Sequence, residues 1–395
     1  MAFADTANYS LAYAPETTFD TPPTTGYRLL RNTGEGLNVN IESAQSDEID
    51  SDAQYTGTVQ VSGSSAGPVN FQLSYAEYDD FLEAVLRSAD WDAGYSDSAT
   101  DVASRVFTGL TDTTGLLPGM IVKVTGLTAS AEDGVFTIET VNSGTSFTVV
   151  ESLTDEASGT ITVTNSGYIM NGTTQRSFSF EKNFIVDGSD NFFLMSGMRA
   201  ASMSMAMSTG SIVSGSFNFQ GATGQASASS QEASSYSAAN TNELMNAVSN
   251  INGMSMYAVD VSGNYTAISA TFQELSLSID NSMRDQSGIG NLFPAGIGAG
   301  RIKVEANATL YFADRDLFDQ FIVNGSVQIR FQITDAEDNY GNRYGFVFPE
   351  MKIASHEVVA SGPDSDVMAS VQFTAQKDVR SGTSKSIIVS KIDAV

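Results

Sequence analysis

Two segments of this chain carry one pattern. Residues 73–86 read LSYAEYDDFLEAVL and residues 310–323 read LYFADRDLFDQFIV. Leu73 aligns with Leu310, Ala76 with Ala313, Glu77 with Asp314, Asp79 with Asp316, Phe81 with Phe318 and Val85 with Ile322. An alternating run precedes each: Val69, Phe71, Leu73 and Tyr75, then Val304, Ala306, Ala308 and Leu310. Apolar residues at every second position predict a half-buried strand. The period then becomes helical, with Tyr78, Phe81, Leu82 and Val85 in one segment and Leu317, Phe318, Phe321 and Ile322 in the other. Both first turns are acidic, which suits the positive end of a helix. Each segment therefore reads as a strand running into a short helix.

The likeness extends on both sides. GEGLNVNIESAQSDEID (34–50) parallels QELSLSIDNSMRDQSGI (273–289), an alternating strand that breaks into a long loop. FEKNFIVDGSDNFF (180–193) parallels FQITDAEDNYG (331–341). Asp187, Asp190 and Asn191 there match Asp335, Asp338 and Asn339, as turn residues joining two strands would. Residues 194–222 parallel 347–375, with Met198 opposite Met351, Ala201 opposite Ala354, Gly210 opposite Gly362 and Phe219 opposite Phe373. Several regions in the same order define tandem copies of one β-rich domain.

The copies are unequally spaced. Residues 101–166 have no counterpart after Ile322 and read as an inserted all-β module of five or six strands, with Val122 and Val124, Phe136 and Ile138, and Phe147 and Val149 each two apart. Such a block survives in an exposed loop. It is expected to project from the body, so that deleting it leaves the rest intact. Residues 1–26, with Pro15, Pro22 and Pro23, read as an extended arm. Residues 222–250 read as a linker, with a short helix at 242–249. The first domain then comprises 27–100 and 167–221, and the second 251–395.

Charge restricts the partners. Asp and Glu number 46 against 19 Lys and Arg, a net charge of −27. Nonspecific nucleic-acid binding needs cations for phosphate, so this chain should repel DNA. It has no cysteine, hence neither disulfides nor thiolate metal sites. The start, MAFADTANYS, lacks a basic region and apolar core, and no apolar run approaches the ~18 residues of a membrane helix. A soluble protein made in a cytoplasm is expected.

The residues offer little chemistry. The single histidine, His356, lies in a strand opposite Met203 of the first copy and reads as a packed or surface residue. No nucleophile elbow, P-loop or dinucleotide fingerprint is present. The glycines at 288, 290, 296, 298 and 300 precede a strand, whereas a phosphate cradle precedes a helix. The acidic groups Asp47, Glu48, Asp50 and Asp52, and Asp335, Glu337, Asp338 and Asn339, lack EF-hand spacing. Met203, Met205 and Met207 alternate as one apolar strand face. The lone Trp91 provides no aromatic platform of the kind carbohydrate-active sites use. No catalytic, metal or cofactor residue is assigned, and no cofactor is expected.

The opening YSLAYAPETTFDTPPTTGYRLLRNTGEGLNVNIESAQSDEI, the strand–helix unit at 69–88, and FFLMSGMRAASMSM followed by SGSFNFQG resemble the tail tube proteins of long-tailed bacteriophages. The resemblance covers the chain except the insertion, which itself resembles immunoglobulin-like or related β-modules. It implies a mainly β fold: two tandem tail-tube-type β-sandwich or barrel domains, each with one outer helix. It also implies a non-enzymatic virion protein that stacks as rings, its acidic lumen conducting DNA during ejection without binding it. A doubled domain points to family members that form homotrimeric, pseudo-hexameric rings. The implied partners are further copies of the chain, a tape measure protein, and tail terminator and distal tail proteins, with no membrane. The implied location is the tail of the virion, preceded by the host cytoplasm. Two other classes share the composition: a secreted or cell-surface adhesin or S-layer-like protein, and a carbohydrate-active enzyme carrying a β-module.

The long loops at 43–60 and 281–300 are expected to meet a neighbouring ring, because loops beyond about 12–15 residues without structure of their own are usually functional or disordered. Their candidate contact residues are Asp47, Glu48, Asp50, Asp52, Arg284 and Asp285, with Arg28, Arg31, Arg284 and Arg301 as the basic candidates.

Overall fold

The structure is a computed structural model. It describes every residue except 1, 2, 4, 50, 52, 53, 55, 56, 129–131, 261, 263, 337–340, 361, 381, 382 and 395. A 3-10 turn at Thr6–Asn8 leads into β1 (Tyr9–Pro15), β2 (Arg28–Leu29), β3 (Gly34–Glu35), β4 (Asn38–Gln45), β5 (Thr58–Gln72) and α1 (Asp79–Leu86). Then come β6 (Tyr95–Ala103), β7 (Val106–Thr108), β8 (Ile121–Thr125), β9 (Gly134–Ser143), β10 (Ser146–Val149) and β11 (Glu156–Asn165). The chain returns through β12 (Gly167–Met170), β13 (Phe178–Val186), β14 (Ser189–Ser208), β15 (Ser214–Gly221) and β16 (Thr223–Ser227). The second half holds β17 (Ile251–Val259), β18 (Tyr265–Ile268), β19 (Thr271–Asp280), β20 (Arg284–Gln286), β21 (Gly296–Gly298) and β22 (Lys303–Tyr311). It ends with α2 (Asp316–Ile322), β23 (Ser326–Thr334), β24 (Arg343–Ala360), β25 (Val367–Ala375) and β26 (Ile388–Ile392).

Eight strands of one half have pairings that correspond to those of eight strands in the other. β1 pairs with β2 and β13, β13 with β14, β14 with β15 and β16, and β5 with β4 and β15. In the second half β17 pairs with β18 and β23, β23 with β24, β24 with β25 and β26, and β22 with β19 and β25. The segment read as an N-terminal arm is thus the first strand of copy one. Leu11, Ala12, Tyr13 and Ala14 are all buried in β1, and β17 is its counterpart. Four apolar residues in a row mark a strand covered on both faces, which has no period-2 signature.

Each copy is a two-layered sandwich built around one long strand that serves both sheets. In copy one this is β14. Its first part pairs with β13 and β16 and its last part with β15. Gly197, at φ +68°, sits between the two parts, and a Cβ there would meet the Ala222 side chain at 2.9 Å. Glycine accepts this left-handed backbone and close approach without strain. The hairpin at Asp187 and Gly188 has positive φ at both residues, as the sequence turn signal requires. Asp335, aligned with Asp187, accepts from Asn342 Nδ2 at 2.6 Å, while Asp338 and Asn339, aligned with Asp190 and Asn191, lie outside the described residues.

The two helices differ in what they bury. Phe81 of α1 packs on Tyr13 at 4.7 Å between ring centroids and edge-on to Phe178 and Phe219. In α2 only Leu317 is buried, and Phe318, aligned with Phe81, faces outward. Segments flanking β12 cover α1: Gly172 N–H donates to Leu86 O and Thr174 N–H to Arg87 O. After α2 the chain enters β23 almost at once, so no such cover exists there.

Strands β6 to β11 form a separate closed six-stranded barrel with its own core. It starts at Tyr95, ahead of the boundary at 101 expected from sequence, and it is a barrel rather than an immunoglobulin-like pair of sheets. Nor does it project freely. Val347 of β24 and Ile388 of β26 complete its core, while their neighbours Phe346, Phe348 and Val389 point into the sandwich. Ile121 N–H donates to Ser390 Oγ at 3.3 Å. The barrel is seated on the outer sheet of copy two, and β23 is buried along its whole length as a result.

No helix forms at 242–249. Leu244 bridges to Ser74 and Asn246 to Ile212, so tertiary pairing overrides the local propensity. The preceding stretch is tied down as well, since Glu181 accepts from Ser230 Oγ and from Gln231 N–H. Among the described residues, no helix is long and apolar enough to cross a membrane.

Candidate functional site

The alternation that builds the inner layer of each sandwich also joins the two copies. The last part of β14 pairs with β19, Ser202 opposite Asp280 and Ser208 opposite Glu274. Together with the pairings above, this gives one antiparallel sheet of eight strands in the order β4, β5, β15, β14, β19, β22, β25, β24. Its buried face carries Val69, Phe71, Phe217, Met203, Met205, Leu277, Ala306 and Phe373. The alternate positions carry Asn38, Asn40, Asn70, Ser216, Asn218, Ser204, Ser276, Ser278, Asn307 and Gln372. This second face is small, polar and acidic, with Glu42, Glu274, Asp280, Glu305 and Glu357. Lys303 also lies on it, 2.9 Å from Glu305.

The sheet has two ends. Among the described residues, β4 pairs with β5 on one side only, and the Ser355–Ala360 part of β24 pairs with β25 on one side only. These edges are the counterparts of the two strands that meet in the middle. Val39 pairs with Ser65 as Ile279 pairs with Val304. His356 lies opposite Val371 as Met203 lies opposite Phe217. An open sheet edge invites pairing with another chain. Because the two edges are complementary rather than identical, such pairing is heterologous and propagates head to tail.

The expected contact residues divide. Asp47 and Glu48 are exposed at the tip of the β4–β5 hairpin, whereas Asp50 and Asp52 lie outside the described residues. Arg284 and Asp285 sit on β20, which pairs with β21. Their loop is docked on copy one of the same chain. Gln220 Nε2 donates to Asp285 Oδ1 at 2.8 Å, Gly63 N–H donates to Leu292 O at 2.8 Å, and Ile297 is buried. The 281–300 loop thus packs on copy one of the same chain. Arg28 is engaged by Glu77 at 3.1 Å and Arg31 by Asn240 O and Asn242 O. Arg301 remains exposed.

His356 lies against Phe318 and Phe321, and burial pushes its imidazole below the usual histidine range. Trp91 packs beneath Lys391, with Nζ 4.4 Å from the ring centroid. That lysine reaches Asp79 at 2.8 Å, and Tyr344 also donates to Asp79, so α1 of copy one is fastened to the last strand of copy two. Both partners of the ion pair are mostly buried. Asp79→Ala should therefore cost about 3–5 kcal/mol in urea denaturation, because it strands a buried ammonium. A loss below about 1 kcal/mol would mean that the copies are held elsewhere. Among the described residues, no group of three His, Asp or Glu side chains is arranged to hold a metal ion.

The family model described as phage tail tube protein matches residues 6–375, from the turn before β1 to the end of β25. No curated protein matches the chain. The match takes in the eight-stranded sheet and the barrel and leaves out β26, and the chain belongs to the phage tail tube protein family.

Proposed function

We propose that three chains close head to tail into a ring, β24 of each pairing with β4 of the next, and that stacked rings form a tube that conducts DNA. The observation carrying this reading is the β14–β19 junction. It is an example, inside one chain, of the contact that the open edges of β4 and β24 would make between chains. Two copies per chain fill six equivalent positions with three chains. Closure removes every open edge of the sheet.

The polar, acidic face then lines the channel, and the barrel lies on the outer wall. A lumen of Asn, Ser and Gln with scattered carboxylates, its Lys303 paired to Glu305, offers phosphate little cationic hold, so DNA slides through. The role is structural and requires no reaction. A tape measure protein would occupy the channel before DNA, and terminator and distal tail proteins would cap the tube. Assembly would begin in the host cytoplasm and end in the virion tail.

Cryo-EM of assembled particles tests the reading directly. It expects threefold rings in which both copies of each chain line the channel. Six chains per ring with one copy facing the channel would overturn it.

A further inference from the structure

Strand pairing at β4 and β24 leaves one part of the monomer surface uncovered. Large apolar side chains are exposed along α2 and its C-terminal turn: Phe318, Ile322 at 64% and Val323 at 70%. A second set lies on the β4–β5 hairpin: Ile41, Val59 and Val61. Phe318 and Ile322 stand one turn apart on α2, and exposed apolar surface of this kind marks an interaction site.

The chain shows what covers the matching place in copy one. Arg87 and Asn324 each follow their helix with φ of 50°, which sets Val85 against Ile322. Over Val85 lies Asn281, the residue after β19. It is fully buried, with Nδ2 donating to Val85 O at 2.8 Å and to Ala200 O at 3.1 Å. Carried through the strand correspondence, the position of Asn281 is that of Ile41, and that of Ala200 is Ile353. Where copy one has an amide bonded to two carbonyls, the contact between chains would have isoleucine against isoleucine. β4 also runs on as a paired strand to Gln45, whereas β19 ends at Asp280.

Resting on the ring reading, we propose that Phe318, Ile322 and Val323 form a seat for the β4–β5 hairpin of a second copy of this chain, with Ile41 of that copy over Ile322. The seat locks the strand pairing from the side. It is absent from copy one because the 281–300 loop and the segments flanking β12 already occupy that place.

The chain has no cysteine, so engineered pairs can be read without background. Two double variants are made: Ile41→Cys with Ile322→Cys, and Val39→Cys with His356→Cys at the edge itself. Directly opposed positions in an antiparallel pair are close enough for a disulfide. After mild oxidation of assembled particles, both variants should give covalent multimers on a nonreducing gel. Multimers from the edge pair alone would overturn the seat and leave the ring standing. Multimers from neither pair would overturn both. As a further measure, Ile322→Asp alters a residue exposed in the monomer and should leave folding unchanged, while raising the concentration needed for assembly about tenfold. Assembly at an unchanged concentration would count against the seat.

Discussion

Replacing Val358 by lysine should yield a folded chain that no longer assembles. Val358 lies on the open part of β24 and is 41% exposed, so the monomer can accommodate an ammonium there. Its counterpart, Met205, lies in the β14–β19 junction opposite Leu277 and is buried. Pairing of β24 with β4 would take Val358 into the same environment and bury an unpaired charge. That costs about 3–5 kcal/mol, or roughly two to three and a half decades in the association constant. Circular dichroism and thermal melting should match the unaltered chain, while negative-stain images should show no rings or tubes. Val358→Met, which installs the residue found at the internal junction, should assemble normally. Tubes forming from the lysine variant at the usual concentration would show that this edge is not the contact.

The second large effect concerns the barrel. Excising residues 95–165 and rejoining the ends with a short Gly/Ser bridge should lower the stability of copy two by about 3–6 kcal/mol, the worth of re-exposing two large aliphatic side chains. The side chains are Val347 and Ile388, both fully buried against the barrel. The cut also uncovers Arg330, which stacks on Tyr257 at 4.0 Å and lies within electrostatic reach of Glu139 and Glu151 of the barrel. Thermal unfolding measures the loss, and adding Val347→Ser with Ile388→Ser should restore part of it. Cutting at 101–166 instead would also split β6 and leave a stump of the barrel behind. An excised chain that unfolds at the same temperature as the whole one would mean that the barrel contributes no cover.

Sequence reading placed the strand-to-helix units, the hairpin at Asp187 and the alternation of Met203, Met205 and Met207, because each depends on neighbours within a few residues. It missed β1, whose four consecutive buried residues show no alternation, and it expected a helix at 242–249 where long-range bridges decide the backbone. It aligned Phe81 with Phe318 correctly as letters, yet one is core and the other surface, since burial depends on what the rest of the chain lays over each helix.

The assembly site was legible only in part. The repeated pattern, the acidic balance and the absence of cysteine are properties of the sequence alone, and they already pointed to a repeating β-structure. Which strands are left with open edges, which face of the sheet is mostly polar, and where the barrel and the 281–300 loop come to rest were decided by tertiary structure. The physical reason is that an edge or a face is defined by the partner a strand does or does not have, and those partners lie far along the chain: β4 and β24 are free because β14 and β19 found each other.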